Sequence, residues 1–334
     1  MASSQTILNT TIPEFFDLAD REFIYKNKLF PLTAETLFMK ETIPNNTGDR
    51  RLYTEADIER YSHLKEEGED VAKSEAGIGY EKYMYVRRFG VERDVTYEFE
   101  HWNENPSVAK FMQSVSNNNL ERYDLDLTHR FTFANAVSYV DMDGETVDTT
   151  TGDGFALAYA LHTLANSATT FNNIVTTAPR FSQGAFLLAQ DLGTNETYDN
   201  YGNPIVMDFN TVITSFDSAT CYDVMQILGS DADIDTDNSG VLNMNKRAFK
   251  HVKLFKLDST ATGARDDTKS KYWIWAAIGN GEETSWQGRV GIWEANRLAP
   301  INRDGRRDIW SIGSRMSYGI VSVRPQGTVF SFAV

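Results

Sequence analysis

TGDGFALAYALHT (151–163), FSQGAFLLAQDLG (181–193), YGNPIVMDFNTVI (201–213) and ATCYDVMQILGS (219–230) form the central stretch on which the reading of this chain turns. Apolar words alternate there with Asn- and Gly-bearing turns, the pattern of a compact α/β region. The stretch carries none of the chemistry an enzyme of 334 residues would show. It has no Gly-x-Ser-x-Gly elbow, no phosphate-binding loop and no dinucleotide fingerprint. Cys221, between Ala219 and Tyr222, reads as a small core hydrophobe, because no neighbouring cation lowers its pKa. His63, His101, His129, His162 and His251 include no pair at the spacing of a metal site on one helix. His162, between Leu161 and Thr163, reads as structural. No catalytic, cofactor-binding or metal-binding residue is therefore assigned.

Upstream, Asn105-Pro106 is a helix start: Asn accepts a backbone N–H, and Pro gives up a donor that had no partner. Val108, Phe111, Met112, Val115, Leu120, Tyr123, Leu127 and Phe131 follow at helical spacing. They predict a helix over about 106–131, roughly 26 residues and about 39 Å long. Asn117, Asn118 and Asn119 mark a place for a kink. Before it, residues 82–89 read as a strand, and Val95, Tyr97 and Phe99 alternate with polar residues. Residues 45–79 are polar and charged, with Leu52, Ile58, Tyr61 and Leu64 recurring, which suits a long loop or hairpin leaving the body. The segment to about residue 45 has helix-like patches at 11–18 and 32–39, but too little to close a core, and reads as an arm. Downstream, VKLFKL (252–257) and YWIWAAI (272–278) read as a strand pair around a polar loop. The tail from Tyr318 to Val334 is strand-rich, with a turn at Pro325-Gln326-Gly327.

The net charge is −15, from 47 acidic and 32 basic residues, a poor balance for gripping naked nucleic acid. Arg50-Arg51, Arg87-Arg88 and Arg306-Arg307 read as surface pairs or intersubunit partners. The absence of a long apolar run argues against a membrane span, and the opening MASSQTILNTTIPEFF does not read as a secretory signal. One cysteine permits no internal disulfide, which fits a reducing cytoplasm; Asn9, Asn45 and Asn195 then read as chance glycosylation triplets. The run DADIDTDNSGVLNMNK, from Asp231 to Lys246, matches the first eight positions of a calcium loop through Asp235, Asp237, Ser239 and Gly240. Its twelfth position is Lys246 where a bidentate Glu is needed, so it reads as a solvated acidic turn. Asp141-Met142-Asp143-Gly144 reads as a hairpin turn.

The order of these parts resembles the major capsid proteins of tailed bacteriophages, in particular Mu-like major head subunits with the Hong Kong 97-type fold. The words that carry the resemblance are RRFGVERDVTYEFE (87–100), DGFALAYALHT (153–163), GNPIVMD (202–208), MQILGS (225–230) and GIVSVRPQG (319–327). The resemblance implies an α+β fold. Its parts are an N-terminal arm (1–45), an extended loop or E-loop (46–82), a peripheral domain (83–160) with a spine helix at about 106–131, a mainly axial domain (161–265), and return strands shared between domains (266–334). It implies a structural virion protein rather than an enzyme, assembling as hexamers and pentamers into an icosahedral head around double-stranded DNA. The implied partners are further copies of itself, a separate scaffolding protein, a portal and a decoration protein, with no membrane. Assembly would take place in the host cytoplasm. Lys65, Lys73 and Lys82 are available for the E-loop crosslink of some relatives, but nothing designates a partner and no crosslink is assigned. The rival reading is a secreted β-rich carbohydrate-binding protein or glycosidase, with Trp102, Trp273, Trp275, Trp286, Trp293 and Trp310 as sugar platforms. A tail-tube or decoration protein is disfavoured by the size and the long helix.

Overall fold

Residues 106–132 form one unbroken helix because apolar side chains recur along it without an internal Gly or Pro. The computed structural model describes residues 21, 23–25, 30–44, 48–58, 65, 70, 76–96, 106–176, 180–230, 243, 249–279, 284–299, 302–304 and 309–332. The patch at 11–18, the alternation at Tyr97 and Phe99, and all of the calcium-like run except Asn243 lie outside the described residues. After a 3-10 turn at Ala34–Leu37 come β1 (Met39–Thr42), β2 (Arg50–Ile58), β3 (Ala76–Tyr85), β4 (Arg87–Thr96), α1 (Pro106–Thr132), β5 (Ser138–Val140) and β6 (Thr146–Asp148). Then come β7 (His162–Leu164), β8 (Ser167–Phe171), α2 (Gln183–Asn195), β9 (Thr211–Thr214), α3 (Ser218–Gly229) and β10 (Lys250–Lys253). The chain continues through β11 (Trp273–Ala276), β12 (Gly288–Leu298), β13 (Asn302–Asp304), β14 (Ile309–Ser322) and β15 (Thr328–Ser331). The fold is α+β.

β14 is the centre of a five-stranded sheet, antiparallel to β12, β13 and β4, with β1 parallel to β12. α1, about 40 Å long at 27 residues, packs on this sheet. Leu120, Tyr123, Leu127 and Phe131 join Met316, Tyr318 and Val290 in one buried cluster. The helix runs through Asn117, Asn118 and Asn119 because the sheet satisfies what a poor helix former would otherwise leave unpaired. Buried Asn119 donates to Asn296 Oδ1 (3.1 Å) and Ser314 Oγ (2.9 Å), while Ser314 donates to the Val115 carbonyl (2.8 Å). Such a satisfied polar seam sets the register of helix on sheet. The 3-10 turn is tied to the same helix: Ala34 N donates to Asp124 Oδ1 (3.2 Å) and the Tyr123 hydroxyl to Glu35 Oε1 (3.1 Å).

The second sheet has the order β10-β9-β11-β15, with β10 parallel to β9 and the rest antiparallel. Here the sequence expectation fails. The segments at 252–257 and 272–278 do not pair with each other; β10 and β11 flank β9 on opposite sides. TVIT of β9, buried at all four positions, takes the central place that a β-branched run favours. α2 starts at Ser182, whose Oγ accepts from Ala185 N (3.2 Å), and α3 at Asp217, which accepts from Thr220 N (2.9 Å). Phe181, Phe186 and Phe209 pack with Trp273 and Trp275 in this half.

One turn design recurs. In Asp141–Glu145, Thr151–Phe155, Asp199–Asn203 and Thr260–Ala264 the first residue's N–H donates to the fifth carbonyl, and the fourth residue is a glycine donating back to the first carbonyl. Gly144, Gly154, Gly202 and Gly263 all have φ near +80° (81, 81, 84 and 82°). That is the geometry of a type I turn closed by a glycine bulge. The Asp141 turn joins β5 to β6, as its sequence predicts. Open space surrounds Gly144, so Gly144→Ala isolates the backbone term. Its expected cost is about 1 kcal/mol, read as a lower urea midpoint with an unchanged denaturant slope.

Candidate assembly surfaces

The β2–β3 hairpin presents two unlike faces because successive side chains in a strand alternate. The register sets Leu52 opposite Tyr83 and Arg50 opposite Tyr85. Leu52, Tyr83 and Tyr85 are exposed, Tyr85 by 60%, and Ile78 is exposed as well. The other face turns Tyr53 and Met84 onto Ile43, Val321 and Val323. Polar contacts dock the hairpin further along. Glu55, buried, forms an ion pair with Arg324 and accepts from Asn200 Nδ2 at 2.7 Å. Tyr80 and Thr163 share a hydrogen bond of 2.9 Å. Lys82 donates to Thr150 Oγ1 (2.6 Å) and to the Thr150 carbonyl, and pairs with Asp148 at 3.1 Å. Burial pushes the Lys82 amine below its usual range, against the pull of Asp148. Burial also pushes Asp148 upward, but the Thr150 hydroxyl and Lys82 outweigh it and leave the carboxyl below its usual range. Lys82 is thus engaged within its own chain, Lys65 is exposed, and Lys73 lies outside the described residues. A cavity of about 290 Å³ lies between this docking site, α1 and β6, lined by Lys82, Tyr85, Asp126, Arg130, Tyr139 and Tyr318 among others.

The two described arginine pairs are taken up inside the chain. Arg51 pairs with Glu41 (3.1 Å) and Arg87 with Asp141 (3.1 Å); Arg50 sits over Tyr83 and Arg88 over Trp293, 5.5 and 4.4 Å from the ring centres. Arg306 and Arg307 lie outside the described residues.

The second sheet carries its own exposed apolar side chains. Leu187 and Leu188 on α2, Tyr222 and Met225 on α3, and Val206 all face outward. Phe216 and Phe255 are 55% and 69% exposed and pack edge to face with centroids 5.7 Å apart.

Among the described residues the tryptophans do not form platforms. Trp273, Trp275 and Trp286 are buried, and Trp293 is half-buried beneath Arg88. Trp102 lies outside the described residues, as does the side chain of Trp310. The three described histidines are structural. His162 Nδ1 donates to Asp153 Oδ2 at 2.7 Å, His129 Nε2 meets Ser259 Oγ at 3.0 Å, and His251 Nε2 meets Thr214 Oγ1 at 2.8 Å. Burial, reinforced by Lys269, holds His129 down to about 3; burial and Lys253 hold His251 down to about 4. Both stay neutral in the folded protein while the unfolded chain protonates them near pH 6.5. Their contribution is therefore complete above pH 6.5 and is lost on acidification toward pH 4. The urea midpoint is expected to fall from pH 7 to pH 5, with the fall reduced in His129→Gln.

Among the described residues no group of three or more His, Cys, Asp or Glu is placed to hold a metal, and no helix is long and apolar enough to cross a membrane. No family model matches the chain, and no curated protein matches it significantly. Solved structures do. A chain in the capsid structure of the cyanophage P-SCSP1u matches with TM-score 0.53 and 10% identity over 89% of this chain and 86% of that one. A chain from Gordonia phage Cozz matches with TM-score 0.52 and 13% identity over 90% and 86%. One from the mature capsid of bacteriophage PhiM1 matches with TM-score 0.50 and 8% identity over 90% and 87%. At such identities the likeness is one of backbone: this chain has the fold found in phage capsids, along nine-tenths of its length.

Proposed function

We propose that this chain is the major capsid protein of a tailed phage, a structural subunit without enzymatic activity. Copies associate as hexamers and pentamers that close into an icosahedral head around double-stranded DNA, in the host cytoplasm. The observation that carries this reading is a fold shared with phage capsid chains that leaves apolar side chains exposed on the β2–β3 hairpin and on α2 and α3. Rotational symmetry reuses one heterologous contact many times, and interfaces on the order of 1,600 Å² sustain stable association. Extensions that overlap neighbours add such area without enlarging the core. In domain terms, 1–45 is the arm, 46–82 the E-loop, 83–160 the peripheral domain with its spine α1, 161–265 mainly the axial domain, and 266–334 the shared return strands. The Mu-like affiliation rests on the sequence words quoted above. A separate scaffold, a portal and a decoration protein complete the proposed partners. Burial of three of the six tryptophans weighs against the sugar-platform reading.

Negative-stain electron microscopy of the purified chain over a concentration series, alone and with the scaffold gene product of the same locus, tests this. Rings, tubes or shells are expected. A monomer under all conditions, scaffold included, would sink the reading.

A further inference from the structure

The register of the first sheet collects cations on the face turned away from α1. Met316 and Tyr318 of β14 join the buried cluster that holds α1. Side chains alternate along a strand, so Arg315 and Ser317 belong to the opposite face. Residues paired across a ladder share a face. Ser317 is paired with Arg88 of β4 and Glu294 of β12, and Arg315 with Gly90 of β4 and Arg297 of β12. Three guanidiniums and one carboxylate thus occupy two successive rungs. β12 is irregular at this point, its register shifting between Ile292 and Glu294 and again between Glu294 and Arg297. Such bulges re-aim side chains, and Trp293 is the residue inserted by the first.

Arg88, Trp293, Glu294, Arg297 and Arg315 line one groove of about 490 Å³. Arg88 lies over the Trp293 ring, 4.4 Å from its centre. A ring face engages the charge without supplying an oxygen to the N–H donors. Glu294 is committed to Arg297: its Oε1 pairs with both Nε and Nη2, while its Oε2 accepts from the Ser317 hydroxyl at 3.4 Å. Arg297 and Arg315 stand directly opposite each other, an arrangement in which like charges repel. The single carboxylate offsets one of the three cations and leaves two positive charges, in a chain whose net charge is −15. Among the described residues Arg88 and Arg315 form no ion pair. Glu92, the next carboxylate along this face, opposite Gly313, is paired with none of the three arginines.

We propose that this groove binds a phosphate dianion, supplied as free phosphate or as a phosphomonoester. Guanidinium forks match phosphate oxygens, and three acceptor oxygens meet three guanidiniums. The phosphate charge of about −1.5 to −2 at pH 7 balances what Glu294 leaves. A carboxylate, with one charge and two oxygens, would leave one arginine unmatched. Bound phosphate would tie β4, β12 and β14 together across the bulges.

Isothermal titration calorimetry of the full chain in phosphate-free buffer tests this. Inorganic phosphate and adenosine 5′-monophosphate are the separate probes, and sodium acetate is the single-charge control. Which of the two phosphates binds identifies the source. Arg88→Gln combined with Arg315→Gln is expected to weaken binding about 100-fold, each lost charge-assisted contact counting for about tenfold. Glu294→Gln removes the competing carboxylate and is expected to tighten binding. Nucleotide affinity should rise between pH 5.5 and 7.5, because the phosphate loses its second proton at about pH 6 while arginines keep their charge. Absence of binding by both phosphates, equal binding of acetate, or binding that survives the double substitution would each overturn the site. Should the double variant fail to fold, Glu294→Gln decides: affinity no tighter than wild type overturns the site as well. None of these readouts requires a shell or ring to form, so the outcome is separate from that of the assembly reading.

Discussion

Glu55→Ala is expected to release the β2–β3 hairpin from the body of the subunit. Glu55 is buried, its partner Arg324 is 18% exposed at the side chain, and Asn200 completes the site at 2.7 Å. Burial already pushes the Arg324 guanidinium below its usual range. Removing the carboxylate leaves a cation there with nothing to offset its desolvation, at a cost of about 3 kcal/mol, or roughly 100-fold in the opening equilibrium. The cost falls on a local opening, because the hairpin meets the body through one small apolar cluster and a few polar contacts. Hydrogen exchange should then show hairpin amides losing protection while those of α1 keep it. Glu55→Leu combined with Arg324→Met removes both charges and should recover most of the loss. Unchanged hairpin protection in Glu55→Ala would mean that the Tyr53–Met84 cluster and the Tyr80 and Lys82 contacts hold the hairpin without it.

Trp286→Ala is expected to destabilise the whole subunit. The buried indole lies against Phe38 and Phe131, with centroids 4.9 and 5.0 Å away, and so joins the segment before β1 to the end of α1. Its backbone N–H donates to the Ala277 carbonyl at 2.8 Å, tying the second sheet's connection to the same place. Gly288 leaves room for the ring; a Cβ there would stand 2.3 Å from it. Truncation to Ala opens a cavity walled by three separate elements that cannot all close in, so the expected loss is about 3–5 kcal/mol. Trp286→Phe keeps much of the packing and should lose far less. Equilibrium urea unfolding checks both, and an Ala variant within about 1 kcal/mol of wild type would show that the cluster repacks freely.

Most of the local structure was legible along the chain. The long helix announces itself by apolar spacing from Val108 to Phe131, and the Asp141–Gly144 turn by its residue types, because both depend on neighbours a few positions apart. The α+β class was implied by the resemblance, and the observed sheets and helices agree with it. What the residue order alone did not reveal is long-range. Asn119 suggested a weak point in the helix until the sheet supplied Asn296 and Ser314, 177 and 195 residues away. β10 and β11 looked like each other's partners, yet β9, more than 30 positions before β10, stands between them. The latch at Glu55 depends on Arg324, far down the chain, and no local pattern marks either residue.

The sequence by itself determined the helix, the turns, the acidic balance and the lack of catalytic motifs, since periodicity, backbone preference and composition are properties of short segments. Only the tertiary structure decided which strands pair, which tryptophans are buried and which faces remain open. Those outcomes follow from competition among distant segments for the same buried apolar surface and hydrogen-bond partners.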